Sequence, residues 1–376
     1  MDIGEPLASC ASTLFRRLLS ATGFPRRRDI RCVALVMWVA VLVPSPAVAT
    51  EPFAKVAVSA GQVLTFPRGV RNLAMGWTGA ADDADPSNVF YNPANIFLQS
   101  DIAVTEGHNS WPVDLDFFDI GGFGGTAIRR NDRTAFHLAA GLRYTKLRLD
   151  VAEVRTIFLP DGTGRAFDDD WYLTMALAGG LSVDWFDVGL GFSAKSFSEA
   201  GRDAWAFDLG VLAKARIATA AGFRLLPSIG VSVLNLGGEV DYGSSVSAQL
   251  PEQARLGLGL RIETPSVKSW DDRLGYTTPL VTFSTSLDYM NRLARGGSRS
   301  DDGTGFGFEM GLSEILFVRV GHKDRIRGTG TSGTTYGLGA AWRVWALRLG
   351  VDYARFPTNG FGGDVDAYGA SLAMSL

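Results

Sequence analysis

Large apolar residues alternate with small or polar residues in short runs from Asp101 to Leu376. A period of two places alternate side chains on opposite faces, so each run predicts a β-strand with two different faces. In the run 254–263, for example, Leu256 and Leu258 share one face while Gly257 lies on the other. A soluble β-sandwich would also alternate, but its polar face would favour Lys and Glu. The Gly, Ala and Ser found here instead indicate the crowded lumen of a β-barrel.

The alternation predicts about 14 strands, which begin near residues 101, 117, 133, 171, 185, 204, 222, 253, 280, 304, 315, 333, 345 and 364. Connections after odd-numbered strands are mostly long and those after even-numbered strands mostly short, with a long exception at 264–279. Short periplasmic turns and long outer loops are typical of outer-membrane barrels. The fold class predicted is therefore all-β, a transmembrane antiparallel β-barrel over 101–376 in the cell outer membrane, with both chain ends in the periplasm.

The ends of the predicted strands support this interpretation. Aromatic residues cluster there, as expected for girdles at the two membrane interfaces: Trp171, Trp185, Trp205, Trp342, Trp345 and Tyr353. The last strand alternates from Tyr368 to Leu376 and resembles the C-terminal signal read by the barrel-insertion machinery, although that signal usually ends in Phe. Outer-membrane lipid and this machinery are thus expected partners.

Residues 1–49 are expected to be a signal peptide with a possible N-terminal extension. The apolar run 32–43 follows several arginines and precedes Ala47-Val48-Ala49, a small-residue cleavage site. A run of this length is too short for a membrane-spanning helix, which needs about 20 residues. Both cysteines, Cys10 and Cys32, precede the cleavage site, so a mature chain would have no disulfide and no thiolate metal site.

Composition narrows the class of function further. Mean hydropathy is only +0.10 although 46% of residues are hydrophobic, as expected when half of each strand faces lipid and half a lumen. After removal of residues 1–49, 30 Lys and Arg face 36 Asp and Glu, a net charge of −6. The chain has no basic stripe, so a nucleic-acid partner is not expected.

Three stretches resemble the N-terminal signature of the PorV/PorQ family, relatives of the FadL-type outer-membrane transporters. They are RGVRNLAMG at 68–76, GAADDA at 79–84 and YNPA at 91–94. Weaker similarities to later family strands lie at 204–210, 235–237, 250–251, 255–257 and 351–354. Trp77-Thr78 and Asn95-Ile96 depart from the family pattern, which more often has small residues and Gly-Leu.

The resemblance implies a 14-stranded barrel with an N-terminal hatch segment, residues 50–100, folded inside the lumen. FadL-type hatches gate the passage of hydrophobic molecules, whereas PorV-type members carry exported proteins in type IX secretion. The expected function is accordingly a scaffold or shuttle for surface-exported cargo proteins. The alternative is a FadL-like transporter of small hydrophobic ligands.

Two groups of residues are candidates for function. The candidates for the hatch or gate are Met75, Gly76, Asp82, Asp83, Asn92, Pro93 and Ala94. Ionisable residues at membrane depth usually face a barrel interior and pair there; the lumen charges expected are Asp208, Arg255, Arg261, Glu309, Arg319, Arg348 and Asp352. Few large apolar residues are expected on the lumen face, which argues against a greasy conduit.

Catalytic and metal chemistry have little support in the sequence. Asp82, Asp83 and Asp85 could offer oxygen ligands to calcium, but they lack EF-hand spacing, so a solvated or lumen-paired turn is favoured. His108, His137 and His322 form no metal-binding pair, and no G-x-S-x-G motif occurs. We therefore expect no enzyme, no cofactor and no metal.

Overall fold

The computed structural model describes residues 61–66, 68–82, 85–111, 115–149, 170–199, 202–241, 247–268, 277–293, 302–325, 332–358 and 363–375. The chain divides into two compact units. One comprises 54–217 and 224–376, and the other comprises 1–53 and 218–223. Within 218–223 the backbone N–H of Thr219 donates to the carbonyl of Phe223 at 2.9 Å. The predicted signal peptide lies outside the described residues.

Fourteen long strands form the first unit. In chain order they are β1 Ile102–Trp111, β2 Leu115–Asn131, β3 Thr134–Leu149, β4 Asp170–Val183, β5 Phe186–Glu199, β6 Arg202–Ala215, β7 Arg224–Leu236, β8 Gln253–Glu263, β9 Val281–Arg292, β10 Gly303–Leu312, β11 Leu316–Arg325, β12 Gly333–Val344, β13 Leu347–Thr358 and β14 Gly363–Met374. Each strand pairs antiparallel with the next, and β14 pairs with β1, from Ile102 opposite Met374 to Ser110 opposite Asp366. The structure is a closed 14-stranded antiparallel barrel, and every predicted strand start lies within two residues of the observed one.

The two ends of the barrel differ in their connections, and we name them accordingly. The turn end carries the tight connections at 132–133, 184–185, 313–315 and 345–346, together with Ile102 and Met374. The loop end carries the connections at 150–169, 237–252, 293–302 and 326–332. The exception predicted at 264–279 lies at the turn end and contains a two-stranded ribbon, Ser266–Lys268 with Thr277–Pro279. A second ribbon at the loop end pairs Glu239–Asp241 with Ser247–Gln249.

The outer wall of the barrel is apolar between its ends. Leu190, Leu177 and Leu138 are large hydrophobic residues, yet the outer face of the barrel leaves each of them exposed. Trp342 and Trp345 are 74% and 68% exposed at the turn end, and Trp171 stacks on Tyr144 near the loop end. A barrel in water would not present a continuous apolar surface of this extent.

The described residues before β1, namely 61–66, 68–82 and 85–101, lie inside the barrel. They contain a short helix, α1 (Val70–Ala74), and three 3₁₀ turns at Gln62–Thr65, Pro86–Phe90 and Pro93–Ile96. The helix contacts strands β11 to β14. The 3₁₀ turn Pro93–Ile96 contacts strands β3 to β6, a different part of the barrel wall. Only a segment within the lumen can touch both sets of strands, so the described part of the predicted hatch segment lies inside the barrel. Residues 50–60 of that segment lie outside the described residues. In the described part of the chain, no helix has the length and apolarity to cross a membrane.

Candidate functional site

The hatch, residues 61–100, rests on glycines that face the lumen. A Cβ on Gly230 would overlap the Ala80 carbonyl, and one on Gly210 would overlap the Asn92 side chain. Gly307 and Gly321, which pair directly across β10 and β11, approach the backbone of Met75 in the same way. Glycine is needed at such positions because only a residue without a side chain lets two backbones approach this closely. These glycines therefore form a fitted seat for the hatch.

A chain of buried ion pairs links the hatch to the barrel wall. The Arg71 guanidinium donates to both carboxylate oxygens of Glu309, with Nε and Nη2 each 2.9 Å from an oxygen, and also bonds Asp82. Glu309 in turn accepts from Arg319 Nε at 2.6 Å, and Arg319 pairs with Asp352. We call Asp82, Arg71, Glu309, Arg319 and Asp352 the charged chain.

The members of the charged chain stabilise one another, since Arg71 lies between the carboxylates of Asp82 and Glu309. A buried charge pair loses several kcal/mol if one member is removed, because the other is left without a partner. The hatch is thus fixed at this point by charges that depend on one another.

Two more wall residues hold the backbone and side chains of the hatch. Asp288 on β9 accepts hydrogen bonds from the N–H groups of Gly79 and Ala80, both at 2.9 Å. Arg143 on β3 pairs with Asp119 on β2 and reaches the hatch through Ser87, whose Oγ lies 3.3 Å from Arg143 Nη1. Neither Asp288 nor Arg143 was identified from the sequence, although the alternation of their strands already predicts that both side chains face the lumen.

Asn92, one of the predicted gate residues, caps a turn of the hatch. Its Oδ1 accepts from the N–H of Ala94 at 3.0 Å and so caps the turn that begins at Pro93. Its Nδ2 donates to the carbonyls of Ala80 (2.8 Å) and Val211 (2.9 Å), the latter on the wall strand β6. The Asn-Pro-Ala motif therefore joins two parts of the hatch to the wall.

The other predicted gate residues are distributed along the same contacts. Met75 and Gly76 lie against β10 and β11, and the Gly76 N–H donates to Thr335 Oγ1 at 3.0 Å. Asp82 belongs to the charged chain, which agrees with the expectation of a lumen-paired turn. Asp83 lies outside the described residues. Asp85 caps the turn that follows it by accepting from the N–H of Ser87 at 2.7 Å. Among the described residues, no three His, Cys, Asp or Glu side chains are grouped closely enough to hold a metal.

The predicted lumen charges all lie on the inner face, and most have partners. Asp208 accepts from Lys195 Nζ at 3.0 Å, and Arg255 lies 3.8 Å from Asp288. Arg261 pairs with Glu263 at 3.0 Å, and Glu309, Arg319 and Asp352 form the charged chain. Arg348 lines a polar cavity of about 280 Å³ between the hatch and the turn end. What these charges do for function stays a prediction.

Large aromatic residues line the lumen at the loop end. Trp111, Phe117, Tyr172 and Phe356 are each buried and each lie within three residues of the loop end of their strand. Phe66 of the hatch packs among them, with ring centroids 5.3 Å from Trp111 and 4.6 Å from Phe117. We call these five residues the aromatic layer; further apolar side chains pack around it, namely Val63, Leu64, Leu147, Phe197, Val240, Leu250 and Val365.

The aromatic layer shows that one expectation from the sequence was wrong. Few large apolar residues were expected to point inward, because the strands with the clearest alternation carry Gly, Ser and charges on that face. The aromatic residues lie instead at the loop ends of β1, β2, β4 and β13. They are on the lumen face of these strands, which carries small or polar residues nearer the middle of each strand. Trp111 follows Asn109 and Gly107 on the inner face of β1. Continuing the inward–outward alternation to the last residue of each strand would therefore have identified it.

The described residues define a closed barrel with an ion-paired hatch in its lumen. No family model and no curated protein matches the chain. Among solved structures it is similar to the Pseudomonas putida toluene transporter TodX, at 10% identity and a TM-score of 0.45, over 87% of this chain and 100% of that one. A Pseudomonas aeruginosa FadL homologue matches at 12% identity and 0.41, over 86% and 100%.

The β domain of the Bordetella autotransporter BrkA also matches, at 8% identity and a TM-score of 0.37, over 74% of this chain and 99% of that one. FadL-family barrels are thus among the structural neighbours, beside a barrel of another kind. Similarity at this level assigns no activity to the chain, and the PorV/PorQ resemblance stays a prediction.

Proposed function

We propose that this protein is an outer-membrane transporter that takes up small hydrophobic molecules from the loop end, with residues 61–100 as its gate. The aromatic layer is the observation that carries this proposal. It offers apolar surface inside the lumen, directly against the hatch, where a hydrophobic molecule would gain free energy by leaving water. Buried aromatic side chains such as Trp111 and Phe356 would give polar solutes in the lumen no favourable contact.

The membrane location rests on the outer wall. Leu372 is exposed on the outer face of β14, whereas Ser371 faces the lumen. Arginine on the lipid face costs about 2–4 kcal/mol at the bilayer midplane and about 0–1 kcal/mol near the interfaces. Leu372 lies two residues from the turn end of β14, so the lower part of this range applies to it. We therefore expect Leu372→Arg to lower the fraction of folded barrel in membranes, measured by heat-modifiable gel mobility, while Ser371→Arg is milder. A Leu372→Arg variant that folds like wild type beside a failing Ser371→Arg variant would contradict a lipid-facing wall.

A reversible crosslink tests whether the hatch is the gate. A Cβ on Gly369 of β14 would lie 3.3 Å from the Cβ of Val70 in α1, close to the 3.5–4.5 Å of disulfides. The double variant Val70→Cys, Gly369→Cys, expressed without residues 1–49, has no other cysteine. Reduced protein in liposomes should raise the initial rate of naphthalene uptake above that of protein-free liposomes by as much as wild-type protein does, and oxidised protein should give no increase.

Two other results of this uptake assay would contradict the proposal. Uptake by the oxidised variant would show that the hatch need not leave the lumen, and the gate assignment would fail. No uptake by wild-type protein, with correct folding confirmed, would refute transport altogether.

The secretion scaffold expected first from the sequence is the second candidate. The fitted glycine seat favours it, because a lumen closed this tightly suits a barrel that conducts nothing. Gently solubilised membranes would then yield the barrel in a stable complex with a large exported protein. Absence of such a complex, together with naphthalene uptake, would eliminate the scaffold.

A further inference from the structure

Arg68 is a buried cation without a counterion among the described residues. It is 2% exposed, and the structure pairs it with no carboxylate in the parts of the chain that it describes. Its Nε donates to the Tyr172 hydroxyl and its Nη2 to the Val63 carbonyl, both at 2.8 Å. Its Nη1 is buried and has no hydrogen-bond partner among the residues that the structure describes. Such a group is costly, since a charge removed from water needs an opposite charge or a full set of hydrogen bonds.

The surroundings of Arg68 are aromatic. Its guanidinium carbon lies 4.7 Å from the ring centroid of Phe117 and 5.2 Å from that of Tyr172. Cation–π contacts of this kind offset part of the lost hydration but leave the Nη1 hydrogens unused. A positive group is therefore held at the edge of the aromatic layer with donors still available.

Phe66 already occupies this layer as an aromatic ring that the hatch supplies. It is the one member of the layer that does not belong to the barrel wall, and it packs on Trp111 and Phe117. Ring pairs at such distances stabilise a packed site beyond the burial of their area alone. A ligand ring that replaces Phe66 would recover the same contacts, two residues along the chain from Arg68.

We propose that Arg68 makes this site selective for aromatic molecules bearing an anionic oxygen, such as aromatic carboxylates. The ring takes the place of Phe66, and the carboxylate accepts from Nη1 of Arg68 and neutralises it. Charge-assisted bonds between guanidinium and carboxylate are among the stronger polar contacts in proteins. The proposal rests on the transport function above and names the class of molecule that it prefers.

Binding to the full barrel in lipid nanodiscs, followed by quenching of tryptophan fluorescence, tests this selectivity. The probes are 1-naphthoate, naphthalene as the neutral analogue, and octanoate as the aliphatic acid. Wild-type protein should bind 1-naphthoate at least tenfold more tightly than either of the others. Arg68→Met should remove the preference over naphthalene, and Phe66→Ala should tighten 1-naphthoate binding several-fold because the internal ring is gone.

Matched variants separate charge from structure. Arg355→Met removes an exposed arginine on the outer face of β13 and should leave all three affinities unchanged. Arg68→Lys keeps the charge but loses the planar fork, so it should retain part of the preference for the acid. If Arg68→Met does not fold, as shown by heat-modifiable mobility, the Arg68→Lys and Phe66→Ala results decide.

The proposal is overturned if Arg68→Met and Arg68→Lys keep the full preference, or if Phe66→Ala weakens 1-naphthoate binding. Octanoate binding as tightly as 1-naphthoate would overturn its aromatic part. These failures are distinct from failure of transport, because naphthalene uptake in liposomes is measured separately and does not require Arg68. Uptake with no acid preference would leave the transporter in place and remove only the selectivity.

Discussion

The two halves of the lumen are held together by different forces. At the loop end, the aromatic layer packs apolar rings against the start of the hatch. Nearer the turn end, the charged chain holds the hatch through Arg71, whose partners are buried carboxylates. Apolar packing is non-directional and tolerates a change of shape, whereas a buried ion network fails when any member is lost. The loop end is thus suited to adapt to a bound ligand. The turn end is suited to hold the hatch in one place.

The contrast also bears on the path of a hydrophobic molecule. A ligand that reaches the aromatic layer meets the packed hatch beneath it: the charged chain on one side and, on the other, a second apolar cluster that includes Ile96, Phe97 and Phe123 and is already filled by the hatch. Desolvating the charged groups without new partners would cost several kcal/mol. Movement beyond the layer therefore requires the hatch to move, and the charged chain sets the stability of the closed state.

The largest effect is expected from breaking the charged chain. Glu309→Ala would leave Arg71 and Arg319 buried without their shared carboxylate, which should destabilise the closed barrel by about 3–5 kcal/mol. Urea unfolding in nanodiscs measures this. Asp364→Ala, which removes an exposed partner of Arg355, is the control and should change stability little. Equal midpoints for the two variants would mean that the charged chain does not hold the hatch.

A smaller effect is expected from filling the glycine seat. Gly230→Ala places a methyl group against the Ala80 carbonyl and should displace the hatch, at a cost of about 1–3 kcal/mol. Leakage of a small dye from liposomes should rise. Gly122→Ala is the matched control, because a Cβ there meets no atom within 4 Å. If both alanine variants remain tight, the seat does not seal the lumen.

The smallest effect is expected in the aromatic layer. Phe117→Leu keeps an apolar side chain but loses the ring contacts to Phe66 and Trp111 and the cation–π contact with Arg68, which should cost about 1–2 kcal/mol. Naphthalene uptake should persist, in contrast to the loss of stability in Glu309→Ala. A Phe117→Leu barrel as unstable as Glu309→Ala would erase the difference between the two halves.

Much of the wall could be predicted from local pattern. The strand starts, the antiparallel order and the apolar outer face follow from a period of two, since neighbouring residues in a strand must face opposite sides. The inward direction of Glu309, Arg319 and Asp352 follows from the same parity. The position of the hatch came from family resemblance, because residues 61–100 show no period of their own.

The sequence by itself determined the barrel, its strand number and the side chains that face its lumen, because a strand's two faces are encoded locally. Only the tertiary structure decided which lumen residues meet. Arg71 and Glu309 are 238 residues apart, and their pairing depends on how the hatch lies across the closed sheet. The same is true of Arg68, which only the folded structure places between Phe117 and Tyr172 with no carboxylate partner among the described residues. Closure of the sheet brings residues that are distant in sequence to the same height in the lumen. The local alternation of apolar and polar residues does not encode which of them will be in contact.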